Sequence, residues 1–366
     1  MSNARREITR VLIPGVCHPI AAETLESLRR VGDQRDHSLY IVGVDVEERG
    51  RNFVGVDAHH FVPGASAPEY IEVLLDICRK ERIDVVVPWS DIEADAISHS
   101  AATFKEAGIA TLCGSPESVQ CALDKGSTLD TMKRCGIPVP DYELTSSPDE
   151  LAHAATGLGY PQRRVVVKPR RSSGGRGMWV LDANADMLSP YAGPGRQATL
   201  AAFMFILRES ESANLRVPGY VVMEYLPGED YSVDALASEG EAIFVVPRRR
   251  IRAVEGISHI GEIAENAEVR SAVARVIRAM DLHLNVNVQL KYTGARDAAP
   301  MVYEVNPRIS GSIVANDAAG VNLLYHGIQL ALGNPPPAPD EIRVQETRMF
   351  REWVGRYTNT DQWFNP

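Results

Sequence analysis

Long apolar runs are missing from this chain. No window in its 366 residues approaches the ~20 apolar residues that a membrane-spanning helix needs. The N-terminus, MSNARREITRVLIPG, has no apolar signal core, so the expectation is a cytoplasmic protein that meets no membrane. Cysteine is scarce: Cys17, Cys78, Cys113, Cys121 and Cys135 are scattered without a CxxC pair. That pattern fits reduced thiols and argues against a disulfide framework or a cysteine zinc site. A basic excess is lacking as well. Lys and Arg number 38 against 48 Asp and Glu, a formal net charge of −10. Nonspecific nucleic-acid or anionic-membrane binding would need a broad basic face, so neither partner is expected. Two phosphate motifs are also absent. The turn PGVCHPIAAE holds only Gly15, which excludes the dinucleotide fingerprint, and no G-x-x-x-x-G-K-[ST] order occurs. Internal repeats are absent, and PPPAP at 335–339 reads as a short linker.

What is present is ordinary globular composition, 45% hydrophobic and 23% charged, in a length that suits two or three packed domains. Residues 1–115 alternate short apolar strands (RVLIPG, LYIVGVD, DVVVP, ATLCG) with amphipathic helices (PIAAETLESLRRV, EYIEVLLDICRKERI, ISHSAATFKEAGIA). This βαβαβ rhythm predicts an α/β domain with a doubly wound parallel sheet. A helical stretch follows, opened by Ser115 and Pro116 and stopped by Gly136, Pro138 and Pro140. It begins a small module over 116–222, with a helix around Ala198–Arg208. Residues 223–366 are strand-rich, α+β in character. VVMEYL, YSVDALAS and EAIFVVPRRR form one group, and LNVNVQL pairs with MVYEV. Helices are expected at NAEVRSAVARVIRAM and Val321–Leu332, and a closing strand at VQETRMFREW.

The stretch VVVKPRRSSGGRGMWVL, residues 165–181, is a strand, a basic glycine-rich loop and a second strand. Gly174, Gly175 and Gly177 let backbone N–H groups approach an anion closely, and Ser172, Ser173 and Arg176 add donors. A phosphate cradle and a plain basic hairpin both fit it. More specific is LNVNVQLKYTGARDAAPMVYEVNPRISGS. Period two puts Asn285, Asn287 and Gln289 on one face of a strand, and Glu304 and Asn306 on one face of its neighbour. If Gln289 lies opposite Glu304, Asn287 lies opposite Asn306. Such a patch has many oxygens and one formal charge. It suits magnesium sharing phosphate oxygens better than a calcium cage; a polar outer sheet face is the simpler alternative. In YVVMEYLPGEDYSVDALA, Glu224, Tyr225 and Leu226 can offer backbone groups to a flat base, and Asp230 can accept from ribose hydroxyls. Taken singly, that segment fits a plain hairpin with a solvated acidic turn slightly better. In PRRRIRA, alternation groups Arg248, Arg250 and Arg252, either as a grip on a carboxylate or as a solvated strand end. Cys17 and His18 sit in the first turn of the N-terminal sheet, where lining a substrate pocket is preferred to a catalytic dyad. His59 and His60 read as a surface pair, and His259 lies near the expected pocket.

Taken in order, Asp124-Lys125, Val167-Lys168-Pro169-Arg170 with its glycine loop, MEYLPGEDYSVD, VPRRR, NVQ and YEVNPR resemble the ATP-grasp superfamily. The likeness runs from about residue 10 to 332 and is greatest to the carbamoyl-phosphate-synthase-like, single-chain ligases. It implies an ATP-grasp fold with a pre-ATP-grasp domain (1–115), linker helices and lid (116–222), and a C-terminal domain (223–366) with the metal site. It further implies a carboxylate-amine ligase using ATP and Mg2+, with Mn2+ as an alternative ion. Such an enzyme activates a carboxylate as an acyl phosphate and joins it to an amine, with an amino acid among its substrates. Lys125, Lys168, Ser172, Ser173, Gly174, Gly175 and Gly177 would meet the nucleotide phosphates; Glu224, Tyr225 and Leu226 adenine; and Asp230 the ribose. Gln289, Glu304 and Asn306 would hold the metal. Arg308, Lys168 and Arg250 would act on the reacting groups, and Arg248, Arg250, Gly311 and Ser312 on the substrate. Two departures stand out: SSGGRG places its glycines unusually, and Asp230 stands where Glu is common. A homodimer is an option by analogy. The rivals are an enzyme acting on bicarbonate, for which no glutaminase region or biotin-accepting segment is evident, and a non-catalytic ATP-binding module.

Overall fold

A computed structural model of the chain describes residues 8–18, 20–47, 55–172, 174–186, 196–213, 219–254, 256–295, 298–338 and 341–352. The first unit contains β1 (Ile8–Pro14), α1 (Ala21–Gln34), β2 (Ser38–Asp45), β3 (Ala58–Phe61), α2 (Tyr70–Glu81), β4 (Val85–Val86), α3 (Asp91–His99), α4 (Ala101–Glu106) and β5 (Ala110–Thr111). Its five strands run in the order β3-β2-β1-β4-β5, all parallel. Valine and isoleucine runs cover both faces. Leu12, Val42, Val44 and Val86 pack with Tyr70, Leu74 and Phe104 on one side, and Val11, Ile13, Ile41 and Val85 with Leu25 and Leu28 on the other. β1 pairs with β2 and with β4, so the connections after β1 and β4 part at the carboxyl ends and leave a crevice. The helix expected over 97–110 is two helices that meet at Ser100, and the first begins earlier. Ser90 and Glu93 form a capping box there that fixes the start at Asp91. AHHF is the strand β3, and His60 Nε2 lies 2.8 Å from the Glu81 carboxylate.

Two helices, α5 (Pro116–Leu123) and α6 (Lys125–Arg134), lead to the middle unit. They break at Asp124, whose carboxylate accepts from the Ser127 N–H at 2.9 Å and caps α6. β6 (Tyr142–Thr145), α7 (Pro148–Gly157), β7 (Val165–Pro169), β8 (Trp179–Leu181), β9 (Arg196–Ala198), α8 (Leu200–Ser212) and β10 (Tyr220–Glu224) follow. The sheet order is β6-β10-β7-β8-β9. β10 therefore joins the middle sheet, antiparallel to β7, rather than grouping with the strands after it. The division read between 222 and 223 falls inside this strand.

The last unit holds β11 (Asp230–Ser238), β12 (Glu241–Val246), β13 (Arg248–Val254), β14 (Ile257–Ile263), α9 (Ala267–Ala279), β15 (Leu284–Lys291), β16 (Met301–Asn306), α10 (Val314–Ala318), α11 (Leu323–Ala331) and β17 (Thr347–Phe350). Its strands run β16-β15-β11-β13-β14-β17, with β12 beside β11. Strand alternation divides the sheet. Val233, Ala235, Val286, Val288 and Val305 pack against Val269, Val273, Val276 and Ile277 of α9. Buried Ser232, Asp234, Asn285, Asn287 and Asn306 occupy the intervening positions. α10, α11 and the first unit cover much of that second face, so the cores of the first and last units are continuous through Leu236, Phe244, Leu324 and Ile328. Among the described residues, no helix is long and apolar enough to cross a membrane.

Candidate nucleotide and cation site

Three strands build the centre. β15 and β16 pair with Asn287 opposite Asn306 and Gln289 opposite Glu304, and β11 places Asp234 opposite Asn287 and Ser232 opposite Gln289. The condition set on the period-two reading, Gln289 opposite Glu304, is met in the sheet. Glu304 is the centre of charge. Burial alone would raise its pKa, but Lys125, Lys168, Arg308 and Arg250 around it hold the carboxyl below its ordinary range. Lys168 Nζ stands 3.5 Å from Glu304 Oε2 and 4.4 Å from the Tyr303 ring centroid. Burial lowers the Lys168 pKa, against the pull of Glu304. Each cation comes from a different element: Lys125 from the first turn of α6, Lys168 from β7, Arg250 from β13 and Arg308 from the turn after β16.

Arg250 donates to Gln289 Oε1 and to the Tyr303 hydroxyl, both at 3.4 Å, and to the Gly256 carbonyl at 3.3 Å. Its Nε is buried without a partner among the described residues, an unmet donor that costs about 1–3 kcal/mol. Asp230 accepts from the Tyr303 hydroxyl at 2.9 Å and lies 3.8 Å from Arg250. Arg308 is fixed by Asp91 of the first unit (2.9 Å) and donates to Asn306 Oδ1 at 3.2 Å. Lys125 Nζ donates to the Ser172 carbonyl, and its backbone N–H to the Arg170 carbonyl at 3.0 Å. The glycine loop reaches over to the β13–β14 turn, where a Cβ on Gly256 would sit 2.9 Å from the Gly174 carbonyl carbon. Gly174, Gly175 and Gly177 all have positive φ (63°, 71° and 74°), the left-handed region in which glycine costs least. Ser173 lies outside the described residues.

Glu224 and Asp141 bond reciprocally, the Glu224 N–H to the Asp141 carbonyl (2.9 Å) and the Asp141 N–H to the Glu224 carboxylate (3.1 Å). This anchors the strand end where Tyr225 lies half-buried between Arg164 and Lys291, and Leu226 is buried. Arg248 is placed differently from its expected role as a substrate grip. It is 1% exposed, and Asp234 (2.6 Å), Ser232 (3.1 Å), Ser310 (3.4 Å) and the Ser312 carbonyl (3.2 Å) take its Nη donors, while its Nε has no partner among the described residues. A guanidinium enclosed in this way holds the sheet to the 310–312 turn and does not face an open cleft. Arg252 is exposed, separated from Arg250 by a register shift.

Two neighbours, Asp91 and Arg351, escaped sequence reasoning. Asp91 and Arg351 act across 217 and 328 residues: Asp91 on Arg308, and Arg351 on Glu23 (2.5 Å) and the Gly311 carbonyl (3.1 Å). His18 lies near Arg176, Arg351 and Arg308. Burial first, and these arginines next, lower its pKa against the pull of Asp45.

The donor set suits a hard cation that shares phosphate oxygens. Among the described residues, no cluster of three His, Cys, Asp or Glu side chains is placed to hold a metal, so Glu304 with two amides would supply only part of a coordination shell. The surrounding cations exceed the negative charge of Glu304 and Asp230 and call for an anion.

Comparison with known proteins agrees with this geometry. The family model "ATP-grasp in the biosynthetic pathway with Ter operon" matches residues 216–350, and "PylC-like, N-terminal domain" matches 29–112. The carbamoyl phosphate synthase large chain of Methanospirillum hungatei is 26% identical over 277 residues, 73% of this chain and 24% of its own length. The biotin carboxylase domain of Hydrogenobacter thermophilus 2-oxoglutarate carboxylase, solved with MgADP, ADP and bicarbonate, superposes with a TM-score of 0.68 at 16% identity. That match covers 92% of this chain and 72% of the other. L-amino acid ligase from Bacillus licheniformis gives a TM-score of 0.63 at 16% identity, covering 88% and 74%. These likenesses support an ATP-grasp reading of the chain, of the carbamoyl-phosphate-synthase-like kind. It spans about a quarter of the length of the first curated relatives it matches.

Proposed function

We propose that this chain is an ATP- and Mg2+-dependent ligase that activates a carboxylate and joins it to an amine, with an amino acid among its substrates. The observation that carries this is the ring of Lys125, Lys168, Arg250 and Arg308 around half-buried Glu304, with the amides of Gln289 and Asn306 beside it. A carboxylate resists attack because its charge repels nucleophiles and oxide leaves poorly. Transfer of the γ-phosphoryl group to a carboxylate oxygen releases ADP and gives an acyl phosphate. An amine then attacks the acyl carbon, the C–O bond breaks and phosphate leaves.

In this reading Lys125, Lys168, Ser172 and the backbone of 174–177 hold the phosphates, and the loop excludes water that would hydrolyse the acyl phosphate. The backbone at Glu224, Tyr225 and Leu226 receives adenine, and Asp230 the ribose. Gln289, Glu304 and Asn306 hold magnesium, which when bound neutralises phosphate charge. Arg308 and Arg250 stabilise the charge that develops on the transferring phosphoryl group. Gly311 and Ser312 border the carboxylate substrate, and Arg248 supports them from behind. The test is ADP and phosphate release by the purified protein with a panel of amino acids, paired with product detection. No amino acid raising ATP turnover above the background rate would overturn the assignment. A second reading, action on bicarbonate, is favoured by the carbamoyl phosphate synthase and biotin carboxylase relatives; ATP turnover dependent on bicarbonate alone would select it.

A further inference from the structure

Behind Gln289, Glu304 and Asn306 lies a sealed polar layer. Asp234 is 0% exposed, Asn287 1% and Arg248 1%. A primary amide has nearly the same shape at its oxygen and nitrogen ends, and only the oxygen can ligate a cation. Something must therefore settle which end of Gln289 and Asn306 faces Glu304.

We propose that Arg248, Asp234 and Asn287 are positioning residues that set this polarity, turning the Gln289 and Asn306 oxygens toward the cation position. The inference rests on the cation site of the proposed function. Arg248 Nη1 lies 2.6 Å from Asp234 Oδ2, and Asn316 donates to the same oxygen at 3.0 Å. Both groups present N–H donors to this oxygen, so the Asp234 carboxylate serves as an acceptor here. The Asn287 amide nitrogen consequently donates to Asp234 Oδ1 (2.9 Å) and to Ser232 Oγ (3.0 Å). With its nitrogen committed, Asn287 presents its oxygen both along its own strand β15 and across to β16. The amide nitrogens of Gln289 and Asn306 each lie 3.4 Å from that oxygen as donors. Their own oxygens are left on the opposite side, beside Arg250 Nη1 (3.4 Å) and Arg308 Nη2 (3.2 Å), which are donors only. The buried ion pair thus acts through one asparagine on two candidate ligands. Oxygen ligands select a hard divalent cation, whereas amide nitrogens turned outward would repel it.

The test is Mn2+ binding in the presence of ADP, followed by electron paramagnetic resonance, with ADP affinity measured separately in a chelator. Asp234→Asn, nearly isosteric, removes the acceptor-only partner. The Mn2+ dissociation constant should rise about 10–100-fold, as for other groups that orient metal ligands, while metal-free ADP affinity changes by less than about twofold. Loss of a purely structural ion pair would lower the unfolding midpoint and leave the Mn2+ constant of the folded fraction unchanged. Asn287→Leu leaves the Arg248–Asp234 pair in place and should weaken Mn2+ binding by a similar factor; it carries the test if Asp234→Asn fails to fold. Wild-type Mn2+ binding by either folded variant overturns the positioning role. Glu304→Ala separates the two layers of the claim. If it abolishes Mn2+ binding while both other variants retain it, only the positioning role falls; if it too binds Mn2+ normally, the cation site itself is wrong.

Discussion

The first and last sheets place polar chemistry in opposite ways. In the parallel sheet the strand interiors are apolar on both faces, and polar groups gather where strands end: Asp45 at the close of β2, Ser90 and Asp91 after β4, Cys17 and His18 after β1. In the antiparallel sheet the polar groups lie within the strands, in a layer of Ser232, Asp234, Asn287, Gln289, Glu304 and Asn306. The first arrangement puts side chains on connections, where a hydrogen bond such as Asp45 to the Cys17 N–H (2.8 Å) sets position. The second fixes them by ladder register. Groups that must meet charge with small tolerance gain from the stiffer support.

The largest effect should come from the strand-borne layer. Glu304→Ala is expected to lower turnover at least ~10²-fold, as loss of preorganised charge stabilisation does, with the fold retained. Circular dichroism and steady-state rates at limiting Mg2+ check this, and a wild-type rate would break the contrast. The junction between the sheets carries a pH effect. Buried His326, beside Phe244, has its pKa pushed down to about 4 from 6.5, by burial first and Arg35 second. Folding therefore excludes a proton that the unfolded chain binds. The stability from neutral His326 is complete above pH ~6.5 and is lost as pH falls toward ~4, amounting to about 3 kcal/mol. Denaturant titrations at pH 7 and pH 5 should show about 2 kcal/mol of that loss, and His326→Gln should flatten the slope. Lowered His18 and His283 leave a residual dependence of the same sign.

Loop-borne residues should matter less. Asp91→Ala frees Arg308 without touching substrate, so kcat is expected to drop by about tenfold with KM for ATP little changed. A change confined to KM would mean that Asp91 serves nucleotide binding. Amide exchange across 170–178 should slow several-fold on adding Mg2+ and ADP; equal exchange at saturation would mean that the glycine loop does not close on phosphate. Cys17→Ala is expected to leave turnover within about twofold. Its thiol contacts the Glu47 carbonyl at 3.3 Å and has no assigned part in the chemistry. A dead variant with a trappable covalent intermediate would overturn that.

The same contrast decides what was legible in the sequence. Asn and Gln alternating with Val in NVNVQL stand out, because period two puts them on one face; the register opposite Glu304 and Asn306 was a condition of that reading, and the sheet meets it. The parallel sheet was legible as a rhythm of strands and helices. AHHF was not, because its half-buried histidines carry no apolar alternation. Arg248 and Arg250 look alike two residues apart. Only the partner strand, which brings Asp234 beneath one and Asp230 beside the other, separates a sealed guanidinium from one beside Gln289 and Tyr303. Asp91 and Arg351 had no local signal at all, since their guanidinium and carboxylate partners, Arg308 and Glu23, are hundreds of residues away.

The contact between Gly256 and Gly174 links two stretches of sequence that share no motif. Gly256 has φ +79°, and a Cβ there would meet the Gly174 carbonyl carbon at 2.9 Å. A Cβ on Gly174 would meet nothing within 4 Å. The burden is thus unequal: the loop tolerates bulk at its own glycine better than at one far along the chain. Among diverging copies of this protein, Gly256 should be the slower of the two to change, and a chain that loses it should also have rebuilt its glycine loop.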